Sequence, residues 1–67
     1  MPYKSIEDLP ASVREHLPKH AQEIYRAAFN SAWDHYGHEE DRAHRVAWGA
    51  VEKEYHKDFS GRWVKNG

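Results

Sequence analysis

An apolar stripe of helical period between residues 21 and 36 constrains this chain more than any other feature. Its large and small apolar residues recur every three or four positions, so they share one face of an α-helix for more than four turns. Gly37 follows directly, as is common just past a helix C-terminus. The pattern predicts one long amphipathic helix whose buried face is formed by Ala21, Ile24, Tyr25, Ala28, Phe29, Ala32, Trp33 and Tyr36.

A second stripe with the same spacing follows after a short acidic link. The acidic residues 39–41 favour the start of a helix, and Lys53, His56 and Lys57 favour its end. Gly49 lies inside this stripe and disfavours a helix, so we expect it to permit a close approach of the two helices. The pattern predicts a second long helix, antiparallel or sharply crossed to the first, with a buried face of Ala43, Val46, Ala47, Ala50, Val51 and Tyr55, and Trp48 beside it.

Two short helical elements are predicted before the first long helix. Ser5 followed by Asp8 is typical of a capped turn. Pro10 can begin a helix over residues 11–17, and Pro18 ends it because proline disfavours helical geometry at the residue before it. Leu9, Leu17 and their neighbours add apolar side chains to the predicted core.

The C-terminal residues predict a turn and a strand. Residues 58–61 favour a tight turn, and residues 62–64 are of β type. The one other non-helical stretch with such residues is 2–4, so we expect the two termini to form a two-stranded ribbon with Tyr3 against Trp63. The predicted fold class is therefore mostly α: a single domain over residues 1–67 with two short and two long helical elements, closed by this ribbon.

The composition excludes several classes of protein. The chain of 67 residues has no cysteine, so it has no disulfide framework, thiolate zinc site or cysteine nucleophile. Its mean hydropathy is −1.08 and its apolar runs are short, so we expect no membrane insertion and a cytoplasmic location. With 39% hydrophobic residues, the core must depend on the three Trp, four Tyr and two Phe.

The serine, histidine, acidic and glycine residues form no recognised catalytic or phosphate-binding motif. We therefore expect a protein without enzymatic activity and without a cofactor. Six histidines are present. The histidines nearest to carboxylates form a weak candidate metal site. The preferred interpretation is that these residues are solvated side chains at helix ends and bind no metal. The candidate site consists of His35, His38, Glu39 and Glu40.

The charges are unevenly distributed along the chain. Residues 21–41 contain one basic and five acidic residues, whereas residues 42–67 contain six basic and three acidic. The basic third favours contact with a protein partner or, as an alternative, with DNA or RNA through stacking and phosphate contacts. The candidate contact residues are Lys4, Arg42, Arg45, Arg62, Trp63 and Lys65.

Two polar residues inside the first long helix, Asn30 and Ser31, are not explained by its periodicity. For Asn30 we expect a hydrogen bond to the backbone of the terminal ribbon or the first helix. Contact with a partner is the functional alternative.

Several blocks of the chain resemble the ChaB family. They are Leu9-Pro10, Leu17-Pro18, residues 21–25, residues 28–33, Tyr36, Ala43, residues 46–51, Tyr55 and the opening Met1–Lys4. The resemblance implies a small helical protein with a small sheet and no enzymatic activity. It also implies a regulator of cation transport that contacts a sodium or calcium/proton antiporter. ChaB-like domains also occur beside segments resembling the N-terminal domain of the Rho terminator, which agrees with the nucleic-acid alternative. The link over residues 37–42 is shorter here than in the family.

Overall fold

The computed structural model describes residues 2–67, so Met1, part of the family-like opening, lies outside the described residues. A 3₁₀ turn spans Ile6–Asp8 and is followed by helices α1 (Ala11–Arg14), α2 (Lys19–His35) and α3 (Glu40–Glu54). Strands β1 (Tyr55–Lys57) and β2 (Trp63–Lys65) complete the chain. The predicted fold class, mostly helical with one two-stranded sheet, is confirmed.

The core lies between α2 and α3. Tyr25 and Phe29 of α2 are completely buried, and they belong to one core cluster with the small side chains of Ala43, Ala47 and Val51 of α3. Of the predicted core residues, the buried ones are Leu9, Leu17, Ala21, Tyr25, Phe29, Ala32, Ala43, Ala47, Val51 and Tyr55. The partly buried ones are Ile24, Ala28, Trp33, Trp48 and Ala50. Because its α3 side is formed largely by alanine and valine, the aromatic rings of α2 fill most of the interior.

Two residues that the stripes placed in the core are exposed. Tyr36 and Val46 each keep 38% of their surface accessible. Tyr36 lies just past the end of α2, and the Arg42 guanidinium covers its ring at 4.7 Å. Val46 precedes the buried Ala47 by one residue, or about 100° of helical rotation, so it lies on the flank of α3.

The turn after α2 has the hydrogen bond of a Schellman motif. Gly37 has φ of 68°, in the left-handed region that glycine adopts without strain. The His38 N–H then donates to the Trp33 carbonyl at 2.8 Å, and the His38 ring stacks on the Trp33 indole at 5.0 Å. The predicted helix stop at Gly37 therefore forms, and the chain reverses directly into α3.

The C-terminal half of α3 differs from the prediction in two respects. The helix ends at Glu54, so His56 and Lys57 belong to a strand and not to the last helical turn. Tyr55 is buried as expected, but as the first residue of β1. The prediction for Gly49 was also wrong, because a Cβ built there would meet nothing within 4 Å.

The strand Trp63–Lys65 pairs with β1, not with the N-terminal residues as predicted. The pairing is antiparallel with Lys57 opposite Trp63, and the predicted turn over residues 58–61 joins the strands. Hairpin pairing across a short turn closes a smaller loop than pairing of the two termini. The expected contact between Tyr3 and Trp63 is replaced by two others: Tyr3 packs 4.8 Å from Phe29, and Trp63 packs 5.5 Å from Trp48.

The N-terminal segment is held by Asn30. The Asn30 Oδ1 accepts from the Tyr3 N–H, and the Asn30 Nδ2 donates to the Tyr3 carbonyl, both at 2.8 Å. The expected bond from Asn30 to the backbone is thus present, although the segment that it holds is not a strand. Ser31 is exposed.

The predicted Ser5 cap is not formed by its side chain. The Asp8 N–H instead donates to the Ser5 carbonyl at 3.1 Å, and the Ser5 hydroxyl lies 3.5 Å from the Asp8 carboxylate. Helix α1 is shorter than predicted, but helical bonds continue to Leu17, whose N–H donates to the Val13 carbonyl at 3.0 Å.

Candidate functional site

Two tryptophans from distant parts of the chain pack together beside the hairpin. The ring centres of Trp48 on α3 and Trp63 on β2 lie 5.5 Å apart, and both side chains are partly exposed. Trp48 also packs against the buried Tyr25 ring in a T-shaped pair, with 5.3 Å between the ring centres. The pair is therefore anchored to the core on one side and open to solvent on the other.

A shallow depression surrounds this pair, and we call it the Trp63 groove. It consists of two adjoining cavities of about 330 and 320 Å³ that share His16 and Trp63. The first is lined by Ser12, His16, Trp48, Glu52, Lys57 and Trp63. Glu15 and Arg62 contribute charged side chains to the second. The groove thus combines an indole surface with side chains of both charges.

Polar contacts orient two groups on the wall of the Trp63 groove. The His16 Nδ1 donates to the Ser12 carbonyl at 2.6 Å, which fixes the ring at the edge of the groove. The Lys57 Nζ lies 6.0 Å from the Trp63 ring centre, at the outer limit of a cation–π contact. A partner in the groove would meet these two groups beside the indoles, together with Glu15, Glu52 and Arg62.

Asp58 fixes the hairpin that carries Trp63. Its Oδ1 accepts from the Ser60 N–H, the Ser60 hydroxyl and the Arg62 N–H, at 2.8 to 2.9 Å. The Arg62 N–H and then the Ser60 hydroxyl hold the pKa of the Asp58 carboxyl below its ordinary value, because both stabilise the anion. The turn is thus ordered by a side chain that is ionised at neutral pH.

The six predicted contact residues do not form a single patch. Arg62, Trp63 and Lys65 lie on the hairpin, whereas Arg42 is near the start of α3, about 18 Å along the helix axis from its last residue. Arg45 is in the same half of α3 as Arg42. Lys4 lies in the N-terminal segment, where its carbonyl is 3.4 Å from the Arg26 guanidinium. The six residues therefore fall into three places: the hairpin, the first half of α3 and the N-terminal segment.

Sequence reasoning did not find the other side of this groove. His16, Glu52 and Lys57 were not among the predicted contact residues, and Trp48 was assigned to the core. The alternation of a strand would have placed Lys57 on the same face as Tyr55. No local signal in the sequence places His16 beside Trp63.

The four weak metal-site candidates have separate partners. The His35 ring packs 5.0 Å from Tyr36, and His38 stacks on Trp33. Glu39 lies 3.8 Å from Arg42, and Glu40 lies 3.9 Å from His44. Within residues 2–67, no group of three or more His, Cys, Asp or Glu side chains could hold a metal ion.

A polar link crosses the core between α2 and α3. The hydroxyl of the fully buried Tyr25 bonds to the His44 Nδ1, and the His44 Nε2 lies 3.9 Å from the Glu40 carboxylate. Burial, and to a lesser degree Tyr3 and the Glu40 charge, raise the pKa of Tyr25 well above its ordinary value. Tyr25 is therefore neutral at physiological pH, and its bond to His44 satisfies a buried hydroxyl.

These features define a small helical domain closed by a C-terminal β-hairpin, with a shallow mixed-charge groove instead of a deep cleft. Residues 9–66 match the model of the ChaB family. The chain belongs to the ChaB family. Among residues 2–67, every helix lacks the length or the apolar character that spanning a membrane requires.

The relatives agree with this assignment over nearly the whole chain. The proteins of Escherichia coli strain K12 and Shigella flexneri that carry the name "Putative cation transport regulator ChaB" are each 53% identical over 74 aligned residues, which cover 97% of both chains. Because this chain has 67 residues, the relatives contain residues that it lacks. An NMR solution structure of a protein with the same name is 51% identical, with a TM-score of 0.83 over 98% of this chain and 100% of that one.

Proposed function

We propose that this chain is a non-enzymatic regulator of cation transport that acts by binding a protein of the transport system in the Trp63 groove. Its relatives carry the name of a cation transport regulator, and they match it over almost their full length. A shallow groove suits a protein segment better than a small substrate, because it cannot surround a small molecule.

The observation that carries this proposal is the partly exposed indole pair of Trp48 and Trp63. Tryptophan is enriched among the residues that dominate protein–protein binding energies, because it buries a large area and has one hydrogen-bond donor. Glu52 and Lys57 beside the indoles supply charges of both signs. The expected partner segment presents an apolar side chain flanked by charged residues.

The proposed partner is a membrane antiporter that exchanges sodium or calcium for protons, contacted from the cytoplasm. The family resemblance supports this choice of partner. The open Trp63 groove supports it as well, because it is formed by residues that a partner can reach.

The experiment is a capture of the partner from detergent-solubilised membranes of the cells that naturally produce this chain. We expect the immobilised protein to retain an antiporter subunit, and Lys57→Glu to reduce its recovery about tenfold. Lys4→Glu is the charge-matched control, because Lys4 lies outside the groove, and it should retain the subunit.

A transport measurement completes the test. Cation-dependent dissipation of the pH gradient should differ between inverted membrane vesicles with and without the added protein, and Lys57→Glu should remove the difference. The proposal is wrong if no transporter subunit is captured and the rates are equal.

The alternative function is nucleic-acid binding through the basic residues of segment 42–67, and a separate experiment tests it. Phosphate contacts release counterions, so such binding weakens steeply as salt rises. Titration with mixed duplex and single-stranded oligonucleotides at low salt should show salt-sensitive binding that requires Arg62, Trp63 and Lys65. Absence of binding at low salt would eliminate this alternative.

A further inference from the structure

The hydrogen bonds that flank the hairpin determine which residue of β2 faces β1. The Asp58 N–H donates to the Arg62 carbonyl at 2.7 Å. The Asn66 N–H donates to the Glu54 carbonyl at 2.8 Å. Arg62 and Asn66 lie two residues before and after Val64, and bonded pairs recur at every second residue of an antiparallel ladder. Val64 is therefore the residue of β2 whose N–H and carbonyl point towards β1.

The residues on either side of Val64 present their main-chain groups in the opposite direction. Trp63 and Lys65 occupy the non-bonded positions of the ladder, so their N–H and carbonyl groups point away from β1. Within residues 2–67, none of these four groups takes part in a main-chain hydrogen bond. We call them the β2 outer edge. An unpaired edge of this kind is a template on which a further strand can pair.

The β2 outer edge adjoins the Trp63 groove. The second cavity of that groove, of about 320 Å³, is bordered by Trp63 and by the apolar side chains of Leu17 and Pro18. Side chains of a paired strand that lie opposite Trp63 and Lys65 would share one face of the sheet with them, because side chains alternate between the faces. The first of these side chains would lie beside the apolar part of the cavity, and the second beside the exposed Lys65 ammonium.

We propose that the protein partner adds an extended segment to the β2 outer edge as a third strand of the sheet. This inference rests on the proposed function, since it describes how a partner segment would lie beside the Trp63 groove. An extended main chain supplies donors and acceptors at the spacing of the four unpaired groups. The segment carries an apolar residue opposite Trp63 and, two positions away, a carboxylate opposite Lys65, because such cross-strand pairs are stabilising.

A second copy of this chain fits the same edge less well. Antiparallel pairing of two β2 strands about Val64 would place Lys65 of one copy opposite Trp63 of the other. Each lysine would then lie beside the apolar part of the cavity, and neither would face a carboxylate. The side chains beside the edge therefore favour a segment of different sequence.

Hydrogen exchange of the free protein tests the direction of these main-chain groups. After correction for intrinsic rates, the Val64 amide should exchange more slowly than the amides of Trp63 and Lys65, because it alone of the three donates to β1. Equal protection of the three amides would overturn the assignment of the open edge.

An array of short peptides provides the binding probe. It consists of overlapping peptides from the cytoplasmic segments of the sodium/proton and calcium/proton antiporters of the cells that naturally produce this chain. Fluorescence anisotropy identifies the peptide that binds best, and this peptide is then N-methylated at one residue at a time. Affinity should fall at least about fivefold at every second residue, since the amides between them point away from β2. A uniform response along the peptide would overturn the proposal.

Two variants at one position separate the main-chain contact from the side chain. Lys65→Pro removes an outward N–H, which proline permits at a sheet edge, whereas Lys65→Ala retains it. Circular dichroism establishes that both variants are folded. Lys65→Pro should bind the peptide at least about fivefold more weakly than Lys65→Ala, and equal affinities would overturn the added strand.

The results distinguish a failure of this inference from a failure of the proposed function. If Lys57→Glu reduces membrane capture while no peptide binds, or while N-methylation has no alternating effect, the Trp63 groove remains the binding site and the added strand is wrong. Sedimentation velocity of the protein alone tests the other occupant. Self-association that Lys65→Pro removes and Lys65→Ala retains would assign the β2 outer edge to a second copy and overturn the proposal.

Discussion

At the scale of single residues, Asn30 shows how one polar side chain replaces a secondary-structure element. Its amide matches the donor and acceptor of the Tyr3 backbone, as a neighbouring strand would. The Arg26 guanidinium lies 3.4 Å from the same Tyr3 carbonyl, and the Tyr3 ring packs on Phe29. The N-terminal segment is therefore attached to α2 by side chains, which explains a polar residue in the middle of that helix.

Replacing Asn30 by alanine should release this segment. Two hydrogen bonds to partly buried backbone groups are lost, so we expect the free energy of unfolding to fall by about 1–3 kcal/mol. Urea denaturation measures the loss, and hydrogen exchange at the Tyr3 amide should accelerate. Ser31→Ala, at the exposed neighbouring position, should change stability by less than about 0.5 kcal/mol. An Asn30→Ala variant as stable as the Ser31→Ala control would contradict this role.

At the scale of the elements, the helix ends are determined by backbone geometry and the helix interiors by packing. Gly37 ends α2 because its φ of 68° is unfavourable for other residues. Gly49 has no such requirement, since it lies within α3 and faces open space. Substitution by alanine is therefore predicted to change the stability of the protein in opposite directions at the two glycines.

Alanine at these two positions tests that distinction. Gly37→Ala should destabilise the protein by about 1–2 kcal/mol, because a Cβ is disfavoured in the left-handed region. Gly49→Ala should stabilise it by about 0.5–1 kcal/mol, because alanine favours a helix and meets no neighbour. Thermal denaturation of both variants and of the unmodified protein measures the two changes in stability. Destabilisation by Gly49→Ala would restore the close helix approach that the sequence had suggested.

At the scale of the whole molecule, one small core holds every element in place. Phe29 contacts the N-terminal segment through Tyr3, α3 through the His44 ring at 5.0 Å, and its own helix through Trp33. The hairpin joins the same core through Trp63, Trp48 and Tyr25. Because a two-stranded hairpin is marginal alone, its stability depends on that chain of aromatic contacts.

The two phenylalanines provide a matched pair for testing the core. Phe29→Ala should cost about 3–5 kcal/mol, a large share of the stability of so small a domain. Phe59→Ala, the same chemical change at a fully exposed site, should cost less than about 0.5 kcal/mol. Urea denaturation of both variants beside the parent protein gives both values. Similar losses for the two variants would contradict the assignment of Phe29 to the centre of the core.

The elements that follow from local periodicity could be predicted from the sequence. The stripe from Ala21 to Ala32 and its continuation at Ala43, Ala47 and Val51 gave the two long helices and most of their buried faces, because helical geometry repeats over neighbouring residues. Gly37 and the turn over residues 58–61 were also predictable, since their signals depend on a few adjacent residues.

The strand partner, the end of α3 and the Trp63 groove were decided only by the tertiary structure. A three-residue segment has little intrinsic preference for the β conformation or for a particular partner strand. Tyr55 fits the apolar period of a helix as well as the first position of a strand. The groove joins His16, Trp48 and Trp63, which are far apart in the chain. Their contact depends on how α1, α3 and the hairpin pack against one another. Such long-range packing produces no periodic pattern along the sequence, so the groove could not be predicted from it.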